Sequence, residues 1–215
     1  MSDLTLYIGN KNYSSWSFRP WLAMEATGIP FKEVLIPFDM PAGNPRFREL
    51  SPAGMVPVLH HGLFRVWESL AIIEYVAELY PEAGLWPADR AERASARVAA
   101  AEMHAGFTAL RNACPMNFRR DPAPLAVSDA VKANVRRIES LWRDALEASG
   151  GPFLFGSFTA ADAMYAPVVN RFEIYELVDN PVTLAYMKAM KGLPAFQRWR
   201  DGALAESWVV PEDEV

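Results

Sequence analysis

Two short segments carry the residue types that can grip a small polar molecule. The first is Met55-Val56-Pro57-Val58-Leu59, a proline inside an apolar, strand-like run. A proline gives up a ladder donor, so within a sheet it needs an edge, a bulge or a cis turn. The second is Trp67-Glu68-Ser69-Leu70-Ala71-Ile72-Ile73-Glu74-Tyr75, which sets an acid and a hydroxyl at the start of an amphipathic helix. A helix start with a free hydroxyl is a place to hold a carboxylate. Together the two segments suggest a site for a small zwitterionic peptide. Plain structural alternatives exist: Pro57 as an edge-strand residue, Ser69 as an N-cap and Glu68 as a solvated acid. The adjacent His60-His61 pair raises the question of a metal. Neighbouring hairpin residues point to opposite faces, and no cysteine or further histidine is close in sequence. The pair reads as ordinary turn residues, and no metal is expected.

Elements that could position these residues follow from periodicity. Leu4 to Ile8 alternates as a strand. A polar loop, Gly9 to Tyr13, leads to a helix from Ser14 or Ser15 to Ala26, which Gly28 and Pro30 end. Phe31 to Ile36 is a second strand. A proline-rich loop with Pro37, Pro41 and Pro45 precedes a short helix at Phe47 to Leu50. Val56–Leu59 and Leu63–Val66 read as two short strands joined at His60-His61-Gly62. Glu68 to Tyr80 is the next helix, closed by Pro81. The order βαβ, helix, ββα is a thioredoxin-like α/β pattern.

After Pro87 the strand signals stop. Ala91 to Leu110 reads as one alanine-rich helix. Val131, Val135, Ile138 and Trp142 recur at helical spacing. Thr159-Ala160-Ala161-Asp162 has the form of a capping box, with Pro167 inside the helix that follows. Leu184 to Met190 and Pro194 to Arg200 are shorter helices. The expected organisation is an α/β thioredoxin-like domain over 1–82, a linker over 83–89 and an all-helical domain over 90–215.

Composition sets bounds on function. The 215 residues are 51% hydrophobic and 12% aromatic, enough for a large packed core. The net charge of −5 argues against a nucleic-acid surface. No apolar run is long enough to span a bilayer, and no signal peptide is evident at Met1-Ser2-Asp3-Leu4. Cys114 is the only cysteine, so an internal disulfide is impossible and a cytoplasmic location is expected.

The two halves and four local motifs resemble the cytosolic glutathione transferases. Ser14-Ser15-Trp16-Ser17-Phe18-Arg19 is similar to the zeta-class signature Ser-Ser-Cys-Ser-Trp-Arg, with tryptophan in place of cysteine. Ser69 to Tyr75 also resembles the zeta class. Val56-Pro57 matches the family's cis-proline step, and Thr159–Asp162 with Pro167 matches its C-terminal capping motif.

The resemblance implies roles for individual residues. Thiol oxidoreductases of this fold carry Cys-x-x-Cys where this chain has Ser14 and Ser17, so dithiol exchange is impossible at that corner. The reactive thiol must arrive with the ligand, glutathione, as co-substrate. Ser14 is the expected catalytic hydroxyl, donating to the sulfur with help from the helix N-terminus; Ser15 and Ser17 are the alternates. Val56 would pair with the cysteinyl backbone beside a cis Pro57. Ser69 would bind the γ-glutamyl carboxylate and Glu68 its ammonium. The glycyl carboxylate needs a donor from the Pro37 to Arg48 loop, which the sequence does not single out. An electrophile pocket between the halves would draw on Trp16, His104, Phe107 and Arg111, the last three sharing one helix face. Arg171 is a candidate for a substrate carboxylate, by analogy with a zeta-class arginine that aligns only if about one helical turn is deleted. Cys114 could be a buried small hydrophobe or border the pocket.

The implied activity is conjugation of glutathione to a small hydrophobic electrophile, a detoxification chemistry, in a homodimer. The alternatives are glutathione-dependent isomerisation of the maleylacetoacetate type and a non-catalytic binding protein on the same scaffold.

Overall fold

The computed structural model describes residues 3–38 and 44–215. Pro41, within the proline-rich loop, lies outside the described residues. A four-stranded sheet forms first along the chain: β1 (Leu4–Ile8), β2 (Lys32–Leu35), β3 (Val58–His61) and β4 (Phe64–Trp67). Its order is β2-β1-β3-β4, with β1 parallel to β2 and antiparallel to β3, and β3 antiparallel to β4. The alternation in β1 does what it predicts: Leu4, Leu6 and Ile8 are buried and the intervening residues are not. Three helices accompany the sheet: α1 (Ser15–Thr27), α2 (Arg46–Leu50) and α3 (Ser69–Leu79). Gly28 ends α1 in the left-handed conformation, with φ of 73°.

From Arg90 onward the chain is helical apart from its connections and a small pair of isolated bridges near Phe153. The helices are α4 (Arg90–Ala105), α5 (Thr108–Ala113), α6 (Asp129–Ser149), α7 (Ala160–Ile174), α8 (Pro181–Gly192) and α9 (Pro194–Ala205). This is the expected architecture, a thioredoxin-like sheet with helices followed by an all-helical half.

Helix α7 is the axis of the helical half. Every residue from Ala160 to Phe172 is buried, Pro167 included. Val131, Val135, Ile138 and Trp142 form the buried stripe of α6, as their spacing requires. Burying one such side chain contributes roughly 1.5–3 kcal/mol. The capping box at the start of α7 is present, and its acid does more than cap. Asp162 accepts from Thr159 N–H at 2.8 Å, Thr159 Oγ1 at 2.9 Å, Leu154 N–H at 3.0 Å and Tyr186 Oη at 3.0 Å. Burial pushes the Asp162 carboxyl up to about 6 despite those four donors.

The two halves meet along α1, which packs against both α7 and α9. Phe18 stacks on Trp199 with ring centroids 4.7 Å apart. The segment after α9 turns back onto the sheet half. Glu206 accepts from two consecutive backbone amides, Lys11 N–H at 2.6 Å and Asn12 N–H at 3.0 Å. Arg119 donates to Glu206 O and Tyr13 Oη, both at 2.6 Å, and Arg120 Nε donates to Val215 O at 2.9 Å. The loop that leads into Ser14 is thus held from the far end of the chain.

Three sequence expectations need correction. Pairing in β3 begins at Val58, so Pro57 lies just before the strand and not within it. His60 and His61 are strand residues, and the turn is Gly62-Leu63. The expected single helix from Ala91 to Leu110 is broken: Gly106 ends α4, and Phe107, with φ of 56°, starts α5. Glycine weakens a helix interior by about 1 kcal/mol, and the buried Phe107 side chain decides the new direction. His104, Phe107 and Arg111 therefore do not share one face.

Candidate active site

A cavity of about 200 Å³ lies between the sheet half and α4. It is lined by Val56 and Pro57, by Glu68 and Ser69, by Trp16 and His104, and by Ala53, Met55 and Trp67. Six residues singled out in the sequence therefore converge on one cavity from four separate segments.

The Val56–Pro57 peptide bond is cis. Neither the N–H nor the C=O of Val56 is engaged by another described residue. A free donor and acceptor on one residue are the requirement for a short antiparallel pairing with a peptide. Ser69 is the first residue of α3 and is 1% exposed. Its hydroxyl has no hydrogen-bond partner among the described residues. Buried polar groups are nearly always satisfied, so an orphan hydroxyl facing a cavity marks a place for a ligand atom. Glu68 precedes it with φ of 72°, a conformation that costs a non-glycine residue about 1–3 kcal/mol. The glutamate is held there with its carboxylate 3.3 Å from His104 Nε2, a contact between the two halves.

Ser14 is the N-cap residue of α1, but its side chain caps nothing. Its hydroxyl oxygen lies 2.7 Å from that of Ser17, and Ser17 Oγ accepts from Gly9 N–H at 3.1 Å. Ser14 is 6% exposed and is not among the residues lining the cavity; Trp16, two positions on, is. Ser15 is partly buried, and its carbonyl accepts from Arg19 Nη1 at 2.9 Å.

Trp16 is flanked by two guanidinium groups and a histidine ring. The guanidinium of Arg19 sits 3.9 Å from its ring and that of Arg111 4.8 Å, with the His104 ring at 5.3 Å. The two guanidinium distances are in the cation–π range, and the histidine packs edge-on. Arg19 is fully buried and donates Nε to Met164 O at 2.9 Å, while its Nη2 has no partner among the described residues. Burial lowers its pKa well below the usual arginine value, and repulsion from Arg171 and Arg111 adds to the effect. No carboxylate among the described residues pairs with any of these three arginines. Arg19 and Arg111, the two that stack on Trp16, therefore carry positive charge with no ion-pair partner among the described residues, which favours an anionic occupant nearby; Asp213 offsets part of the Arg171 charge.

The remaining candidates fall elsewhere. Phe107 is buried against Tyr165, with ring centroids 6.5 Å apart, and does not line the cavity. Arg111 reaches the site only through Trp16. Arg171 is buried, donates Nε to Cys114 O at 2.8 Å and is also absent from the lining. Burial pulls its pKa down to about 10. Cys114 is buried, and desolvation pushes its thiol up to about 11, so it is a neutral packing residue away from the cavity. His60 Nε2 lies 3.1 Å from Leu50 O and His61 Nδ1 2.8 Å from Tyr75 Oη. No group of metal-binding side chains occurs among the described residues. Sequence reasoning quoted Met55, Trp67 and Arg19 without giving them a role and did not single out Ala53; only the arginine's place one turn after Ser15 could have signalled its burial at the site.

The family relationship agrees with this geometry. Residues 13–79 match the model for "Glutathione S-transferase, N-terminal domain" and residues 125–202 that for "Glutathione S-transferase, C-terminal domain". The matches span about two thirds of the chain, which belongs to the glutathione S-transferase superfamily.

Within it, the chain is 28% identical over 193 residues to a zeta-class glutathione S-transferase of Euphorbia esula, covering 86% of this chain and 84% of that one. It is also 28% identical to maleylacetoacetate isomerase of Rattus norvegicus over 192 residues, covering 86% and 87%. A glutathione transferase homologue from Burkholderia, crystallised with bound glutathione, superposes with a TM-score of 0.71 at 24% identity, covering 96% and 100%.

Proposed function

We propose that this protein is a serine-type glutathione transferase. Its cavity binds glutathione as co-substrate, and Ser14 stabilises the bound thiolate for attack on a small hydrophobic electrophile. The observation that carries the reading is the set of unpartnered polar groups in one cavity, the Val56 amide and carbonyl and the orphan Ser69 hydroxyl, with the Glu68 carboxylate beside them. They match the needs of a peptide bearing a carboxylate and an ammonium at one end. Val56 pairs with the cysteinyl backbone, Ser69 donates to the γ-glutamyl carboxylate and Glu68 accepts from its ammonium. Ser14 is chosen because its hydroxyl is not spent on capping and stands at a helix N-terminus, where the potential favours a thiolate. Trp16 and His104 form the side of the cavity open to the second substrate. Residues 1–82 hold glutathione, 83–89 link, and 90–215 supply the electrophile side. A homodimer in the cytoplasm with a detoxification role completes the reading.

The test is the titration of glutathione's thiol in the complex, followed by thiolate absorbance. A thiol pKa lowered toward neutrality, and raised again by Ser14→Ala, is the expected result. If glutathione binds but its thiol titrates as in water in both proteins, the reading is wrong and a non-catalytic binding protein takes its place.

A second reading is glutathione-dependent isomerisation, favoured by the relative named maleylacetoacetate isomerase. The indole of Trp16 stands where the zeta signature has a small thiol, so isomerisation ranks second. Glutathione-dependent cis–trans conversion of a maleyl-type acid, faster than conjugation of any simple electrophile, would reverse that order.

A further inference from the structure

Ser17 follows Ser14 by three positions, one turn along α1, and is fully buried. The two hydroxyl oxygens are 2.7 Å apart, so either can donate to the other. Ser17 Oγ already accepts from Gly9 N–H at 3.1 Å. That amide is itself fixed in place: a side-chain carbon on Gly9 would come within 2.4 Å of the Phe38 ring.

The directions of these bonds follow from where the protons can go. If Ser14 donated to Ser17, Ser17 Oγ would receive two hydrogen bonds. Its own proton would then have no acceptor among the described residues, and no solvent reaches it. An unmatched buried hydroxyl proton carries its full desolvation cost. Donation from Ser17 to Ser14 uses that proton. Ser14 Oγ then accepts on the Ser17 side, and its own proton, which no described residue accepts, is left for a ligand.

We propose that Ser17 is the positioning residue of this site: the relay from Gly9 N–H through Ser17 to Ser14 commits the Ser14 hydroxyl to donate outward, to the sulfur of bound glutathione. Each donor in the chain polarises the next, so the outermost hydroxyl is a better donor than an isolated serine. The inference rests on the reading that Ser14 faces the thiol. It changes the role of Ser17 from an alternate catalytic hydroxyl to a residue that acts only through Ser14.

A double-mutant cycle on the bound glutathione thiol tests this. Ser14→Ala is expected to raise the thiol pKa by about one unit, and Ser17→Ala by about half a unit. In the Ser14→Ala background, Ser17→Ala is expected to add nothing, because its effect has no route to the sulfur. A merely structural role for Ser17 would lower the melting temperature without moving the thiol pKa. If Ser14→Ala shifts the thiol and Ser17→Ala does not, the relay is wrong and the serine-type reading stands. If Ser17→Ala shifts the thiol equally with and without Ser14, the residue acts directly and the relay is again wrong. If Ser14→Ala shifts nothing, the serine-type reading itself fails.

Discussion

Two buried polar regions of this molecule differ in how completely they are satisfied. At the start of α7, Asp162 collects four hydrogen bonds from the backbone and side chains around it. In the cavity beside α3, the Ser69 hydroxyl has no partner, and Val56 leaves both backbone groups free. The first region spends its polarity on holding one fold. The second keeps its polarity unspent, at a cost in stability, and that is the mark of a place where something else binds. A polar residue's burial says little about its purpose; what it touches says more.

The largest way to break this contrast is Asp162→Ala. It strands the donors of Leu154, Thr159 and Tyr186 in the core, and chemical unfolding should show a loss of about 3–5 kcal/mol. Glutathione affinity of the molecules that remain folded should be unchanged.

A second effect is the pH dependence of Asp162. Its folded-state carboxyl titrates at about 6, above the unfolded value, so the native state binds the extra proton. The resulting stability is fully present below about pH 4 and is lost as pH rises through 6. Asp162→Asn removes that titration. The stability gap between the natural protein and Asp162→Asn should therefore narrow between pH 4 and 7, by up to about 3 kcal/mol. A gap that widens would contradict the assignment.

Ser69→Ala sharpens the comparison from the other side. Removing an orphan hydroxyl should leave the melting temperature unchanged or slightly raised. Glutathione affinity, measured calorimetrically, should fall about tenfold or more, because a hydrogen bond to a charged group is lost. A destabilised variant with full affinity would place Ser69 with Asp162 as a structural residue.

The smallest effect belongs to Glu68→Gln. An exposed contact with His104 at 3.3 Å contributes little, so stability should move by less than about 0.5 kcal/mol. Glutathione binding should weaken severalfold, and a desamino analogue of glutathione should show no difference between the two proteins.

Much of this was legible in the sequence because it is local. Glu68-Ser69 at a helix start, the proline after Val56 and Thr159 to Asp162 at another helix start are short patterns whose chemistry and backbone geometry are coupled. What escaped is decided at long range. The break at Gly106-Phe107 interrupts an alanine-rich stretch that propensity alone would carry through, and it is settled by burying Phe107. Arg19, legible in the sequence only as the end of the Ser14–Arg19 motif, is covered by the helical half, which supplies Met164 O as its acceptor. The strand boundary moved two residues past Val56 because pairing with Tyr7 starts at Val58. None of these contacts leaves a trace in spacing.

The fastening of the C-terminal segment has a practical side. Glu206 grips the amides of Lys11 and Asn12, and Arg120 holds the Val215 carbonyl. An affinity tag or a sensor-chip linkage fastened at this seam would compete with the hydrogen bonds that hold the loop leading into Ser14. Attachment through an exposed residue on α6, such as Lys132, keeps that loop untouched.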